Sequence, residues 1–223
     1  MNEPIDLSTR RFLKAVGAGA AVLAAGCASR PKGAVPEEGF EYKRISPAVP
    51  TVAAKGKIEV VEFFWYSCPF CNAMEPLIHD WLGRQPADVA FRAVHPGISP
   101  SWRANQQLHY TLEALGKADD LRKSVFSAIH DGGMDLGRRD QMASFAAGLG
   151  VDRQKFLQAF DSPAVAAKMR EATDLAKAYR IDGVPMFGIN GKWLTSPSLL
   201  GGSYTETFRV IEYLLALERK GTA

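Results

Sequence analysis

Cysteine is scarce in this chain: Cys27, Cys68 and Cys71 are its only three in 223 residues. A structural zinc site takes four ligands, and its Cys-x-x-Cys is normally matched by a second pair. None is present, and His79, His95, His109 and His130 are scattered without ligand spacing, so they read as surface or packing residues and no metal is expected. Long apolar runs are missing too. The stretch 15–25 is Gly/Ala-rich and well short of the roughly 20 residues that span a bilayer. Charge of one sign is also lacking: 27 Lys and Arg face 24 Asp and Glu, a net +3 with no basic run interleaved with aromatics. Nucleic acid is therefore not implied as a partner. No internal repeat is evident. What remains is a soluble composition, 47% apolar and 23% charged, long enough for one large domain or a domain with a sizeable insertion.

The first 29 residues read as an address rather than as fold. Arg10, Arg11 and Lys14 form a basic region ahead of the short apolar run, the pattern of an export signal. Residues 9–14, Thr-Arg-Arg-Phe-Leu-Lys, resemble a twin-arginine signal, with general secretion the competing route. Residues 23–27, Leu-Ala-Ala-Gly-Cys, resemble a bacterial lipobox whose cysteine, Cys27, would be lipidated; ordinary cleavage nearby is the other reading. Either way the destination is a compartment where disulfides persist, the periplasm, with a membrane anchor if Cys27 is acylated. Residues 30–38, with Pro31, Gly33 and Pro36, read as a linker. Without the leader, Cys68 and Cys71 are the only cysteines left.

Those two end the most informative stretch, residues 58–71, Ile-Glu-Val-Val-Glu-Phe-Phe-Trp-Tyr-Ser-Cys-Pro-Phe-Cys. Its first half is β-branched and aromatic, as in a buried strand. Helical spacing follows in Met74, Leu77, Ile78 and Trp81. Ser67 is the expected N-cap and Pro69 suits the first turn. The pair therefore falls where a strand enters a helix N-terminus, whose free N–H groups and dipole stabilise a thiolate. Thiol–disulfide chemistry fits that position; a purely structural disulfide is the blander alternative.

Around this centre, residues 40–45 alternate as a short strand, and Pro76 removes a hydrogen bond inside the helix and should kink it. Residues 88–94 form the next strand, parallel to the first if the crossover follows the usual hand. Helical periodicity then runs through 102–115, 117–129, 138–149, 152–160 and 163–179. Asn190-Gly191 between apolar runs signals a hairpin, and Pro185 at a strand entrance calls for a cis bond or an edge. A last helix covers 204–220.

Cys-Pro-x-Cys after the first long strand, with Gly-Val-Pro before a hairpin, resembles the thioredoxin fold. The intervening helices make the chain similar to the DsbA family of bacterial periplasmic thiol:disulfide oxidoreductases, over residues 39–220. The specific motifs are residues 61–71 and 179–185. The expected fold is thus α/β, thioredoxin-like with an inserted all-helical domain: 39–98 and 166–223 as its two parts, 99–165 as the insertion. The resemblance implies a nucleophilic Cys68 and a buried partner Cys71, with Pro185 as the cis-proline facing them and Val184 offering backbone hydrogen bonds to substrate beside Pro69 and Phe70. It makes Glu62 a buried proton acceptor for Cys71, for which a salt-bridged strand residue is the plainer reading; the resemblance leaves the basic partner of that carboxylate unidentified, and Arg92 on the neighbouring strand is the candidate. It implies no cofactor beyond the Cys68–Cys71 disulfide, donated to reduced exported proteins, and reoxidation by a DsbB-type quinone-linked membrane oxidase. A monomer is expected, and an isomerase is the weaker runner-up within the fold, because isomerases of this superfamily carry an extra dimerisation domain for which the segment before Gly39 is too short. A thiol reductase and a lipid-anchored peptide-binding or chaperone module are the alternatives. One position departs from the family: Phe70 stands where a histidine usually favours the thiolate, so a weaker oxidant is expected.

Overall fold

The structure is a computed structural model, and it describes residues 34–221. The leader, Cys27 and residues 30–33 of the linker lie outside the described residues. A mixed five-stranded sheet carries the fold: β1 (Lys43–Arg44), β2 (Ile58–Phe63), β3 (Val89–Val94), β4 (Met186–Ile189) and β5 (Trp193–Thr195), in the order β1-β5-β4-β2-β3. The central β2 is buried at every position, as its apolar sequence requires. It runs parallel to β3 and antiparallel to β4. The parallel pair is joined by α1 (Pro69–Leu82), the crossover expected from the sequence. The strand expected over 40–45 shrinks to two residues paired with β5.

Alternation along β2 sends its side chains to two faces. Ile58 and Val60 pack with Met74, Ile78 and Trp81 of α1 and with Val210, Ile211 and Leu214 of α7 (Tyr204–Arg219). Val61 and Phe63 pack against Val165, Ala172 and Ala176 of α6 (Pro163–Ala178). Between β3 and α6 the chain is helical: α2 (Arg103–Ala114), α3 (Ala118–His130), α4 (Arg139–Gly148) and α5 (Arg153–Phe160). These helices do not keep a core to themselves. Leu108, Leu112, Val125, Phe126 and Met142 share one cluster with Phe64, Tyr66, Cys68 and Cys71. The floor beneath the cysteine pair is therefore built by the helical block.

The hairpin falls where Asn190-Gly191 announced it. Asn190 has φ 49° and Gly191 φ 71°, the positive pair that a two-residue hairpin turn with matching twist demands. No helix among the described residues is long and apolar enough to cross a membrane.

Candidate active site

β2 ends at Phe63, the chain turns through Trp65, Tyr66 and Ser67, and α1 begins at Pro69. The N-cap is Cys68, not Ser67: Cys68 is extended (φ −82°, ψ 118°) and its carbonyl accepts from Asn72 N–H at 3.1 Å. Ser67 is drawn elsewhere. Its hydroxyl donates to Asn105 Oδ1 of α2 at 2.7 Å, an acceptor shared with the Trp65 indole N–H at 3.1 Å. The Asn105 amide in turn donates to the Leu136 carbonyl. The turn before Cys68 is thus tied to the helical block by side chains that local sequence patterns do not pair.

Both cysteines are free thiols and both are buried, Cys68 with 5% of its surface exposed. Cys68 is lowered from 9.0 to about 6, because it accepts a hydrogen bond from the Cys71 thiol and, against the cost of burial, further ones from the backbone N–H groups of Cys71 and Phe70, with the charge of His130 adding to them. Cys71 has no exposure, and its pKa is raised by burial, by donation to Cys68 and by the charge of Glu62. One sulfur is an accessible-pH thiolate and its neighbour a thiol.

Facing the pair is the loop before β4, with the Val184–Pro185 peptide cis, as the strand-entrance proline implied. The Cys68 thiol lies 3.5 Å from the Val184 carbonyl. Beside it a cavity of about 340 Å³ is lined by Phe70, Val184, Pro185, Met186, Pro197 and Tyr204 among others. Phe70 is 63% exposed at its mouth, and Pro69 occupies the first helical position.

Glu62 lies fully buried under the pair. Its partner is not Arg92. In the parallel register Arg92 sits opposite Val61, so it shares the face of Val61 and Glu59, opposite to that of Glu62, and it binds Glu59 at 3.3 Å. The cation comes from α3. Arg122 Nη2 donates to Glu62 at 2.7 Å and Nε to Glu75 at 2.6 Å, with its guanidinium 3.9 Å from the centre of the Phe64 ring. Burial pushes Glu62 up to about 7, against the pull of Arg122. Arg122 had one sequence signal: Ala118, Arg122, Val125 and Phe126 form the buried stripe of α3, and a lone arginine in such a stripe needs a buried acid.

His95 and His109 are packing residues as expected, buried among Phe64 and Tyr66. His79 is exposed. His130, at the end of α3, bonds through Nε2 to the Tyr66 carbonyl at 2.8 Å, two residues before Cys68. Among the described residues no group of three or more His, Cys, Asp or Glu is placed to hold a metal ion.

A thiolate-forming cysteine at a helix start with a buried second cysteine three positions on suits thiol–disulfide exchange, and similarity to known proteins points the same way. Residues 59–210 match the model of the DSBA-like thioredoxin domain. The chain belongs to that family. It is a thiol:disulfide oxidoreductase with the thioredoxin-like fold. It is 40% identical over 210 residues to the thiol:disulfide interchange protein DsbA of Bordetella pertussis, covering 94% of this chain and 97% of the relative. With the protein of the same name from Pseudomonas aeruginosa it shares 42% over 181 residues, 81% of this chain and 85% of the other. Among solved structures, Pseudomonas aeruginosa DsbA superposes with a TM-score of 0.78 at 41% identity, over 83% of this chain and 96% of that one. The oxidoreductase DsbA from Xylella fastidiosa gives 0.78 at 31%, over 83% and 99%.

Proposed function

We propose that the chain donates the Cys68–Cys71 disulfide to reduced exported proteins, with Cys68 as the attacked sulfur. A substrate thiolate attacks Cys68 Sγ; the intramolecular S–S bond breaks as the mixed disulfide forms, and the leaving Cys71 thiolate takes a proton. A second substrate thiolate then attacks the substrate sulfur of the mixed disulfide. The substrate leaves oxidised, and the enzyme leaves as the dithiol, reduced by two electrons. The observation that carries this reading is the opposite titration of the two thiols, which makes Cys68 the better leaving group in the second step. Glu62 is the acceptor for the Cys71 proton on reoxidation: it is buried, half neutral near pH 7 and has one oxygen, Oε1, without a hydrogen-bond partner. The cavity formed by Phe70, Val184 and Pro185 takes the substrate segment, and the exchange itself uses no cofactor beyond the disulfide.

Reset of the dithiol falls to a DsbB-type quinone-linked membrane oxidase, the compartment is the periplasm, and Cys27 is the lipidated anchor residue of a monomer. The leader-type residues 1–29 support export and the family's chemistry supports the reset, and the division proposed for the fold remains residues 39–98 and 166–223 around a helical insertion of 99–165. A reductase uses the same geometry with electrons flowing the other way, and the potential discriminates between them.

The roles are tested by trapping. Cys71→Ser protein, mixed with a disulfide-bonded glutathione probe, should accumulate a stable mixed disulfide at Cys68, read by intact mass. Cys68→Ser should accumulate far less. Equal trapping by both variants would refute the assignment, and a chaperone role would survive loss of both cysteines.

A further inference from the structure

Phe70 leaves the Cys-Pro-Phe-Cys loop without a side chain that can donate to a thiolate, and its ring points into solvent at the mouth of the substrate cavity. The loop itself holds no imidazole, yet the fold brings one to it from the helical block. His130 ends α3, its ring stacks on Phe126 (centroids 6.1 Å apart, 26° between planes), and its Nε2 meets the Tyr66 carbonyl at 2.8 Å. A carbonyl only accepts, so Nε2 carries hydrogen and Nδ1 is the site left for a second proton. The half-buried ring is thereby held beside the turn that presents Cys68.

We propose that His130 is a positioning residue of the redox centre: tethered to the Tyr66 carbonyl, it presents an imidazolium to the Cys68 thiolate and biases the couple towards the dithiol, in place of an imidazole inside the loop. The inference rests on Cys68 being the attacked sulfur. Around that sulfur, α1 supplies the Cys71 thiol and two backbone N–H groups, β2 the Glu62 carboxylate, the cis-proline loop the Val184 carbonyl and α7 the Tyr204 hydroxyl. Arg122 is engaged by Glu62 and Glu75, and Asp131 flanks His130 along the chain. After the hydrogen bonds from Cys71 and Phe70, His130 is the side chain that adds to the lowering of Cys68.

Three variants separate charge from tether. His130→Gln keeps a neutral donor for Tyr66, His130→Lys keeps a cation, and His130→Leu keeps neither. In His130→Gln the midpoint for Cys68 ionisation, read by thiolate absorbance of the reduced protein, should rise by about half a unit to one unit, the scale of a single neighbouring charge. The equilibrium constant against glutathione should shift threefold to tenfold towards the disulfide, and tenfold is about 30 mV more reducing. His130→Lys should recover most of both. A wild-type midpoint in His130→Gln, or equal shifts in His130→Gln and His130→Lys, would overturn the proposal and leave a structural tether. If the variants unfold, the wild-type protein decides: the His130 ring proton must titrate at a higher pH in the reduced than in the oxidised protein. Failure of Cys71→Ser to trap at Cys68 would instead sink the underlying assignment, whatever His130 does.

Discussion

At the scale of single residues, the site is a set of charges held where water is not. Glu62, Glu75 and Arg122 form a triad in which Arg122 is shared, buried and stacked on Phe64. Removing one member of such a group strands the other: Arg122→Met should cost about 3–5 kcal/mol in urea unfolding. The double variant Arg122→Met/Glu62→Gln should recover part of that, because no full charge is then left on Glu62. Equal stability of the single variant and wild type would contradict the buried pair. The two titrating groups act in opposite senses. Glu62 is raised from 4.5 to about 7, so its contribution to stability is fully present below about 4.5 and is lost as pH rises through 7. Cys68 is lowered from 9.0 to about 6, so its contribution to the dithiol form is present above 9 and is lost as pH falls through 6. The disulfide has no such thiolate, and the difference favours reduction.

At the scale of elements, the hairpin between β4 and β5 sets the strand that carries the cis-proline loop. Gly191 takes φ 71°, and a Cβ there would collide with the Val49 carbonyl oxygen. Gly191→Ala should therefore destabilise the oxidised protein by about 2 kcal/mol or more, combining backbone strain with backbone displacement; an unchanged urea midpoint would contradict the packing. This turn was legible in the sequence because Asn-Gly acts locally. So were β2, α1 and the order of the helices, whose periodicity reports burial directly. The cis-proline was half legible: Pro185 forbade an ordinary central strand and left cis or edge as the choices. The Glu62 partner was legible only as a lone arginine in the buried stripe of α3, and which acid it meets depends on which helix of the block lies under β2. Arg92 was the nearest basic residue along the sheet, and the period-two alternation put it on the wrong face. Ser67 failed as N-cap for a similar reason, Asn105 being 38 residues away in sequence. Local rules gave the motif its place, and contacts between the two halves of the molecule gave it its electrostatics.

At the scale of the whole molecule, the helical block shares its core with the turn that carries the cysteines, and two buried histidines packed on Phe64 and Tyr66 are held in the neutral form. His95 is lowered well below 6.5 and His109 to about 3, both by burial first. Groups depressed in this way stabilise the fold above about 6.5 and lose that contribution as pH falls towards their folded values. The protein should lose urea stability between pH 7 and 4.5, and His95→Phe, which keeps an aromatic ring against Phe64 and Tyr66, should lose less. An identical loss in wild type and variant would show that carboxylates alone carry the acid sensitivity.

The central claim, that the fold poises the Cys68–Cys71 couple to give its disulfide away, is tested most directly by the reduction potential of that couple in glutathione buffer, on protein lacking residues 1–29. With Phe70 in the loop and a Cys68 thiolate near pH 6, the account predicts a value well above thioredoxin's, about −270 mV, and below the about −120 mV of a strong DsbA-type oxidant. A value at or below thioredoxin's would contradict it and make the protein a reductase.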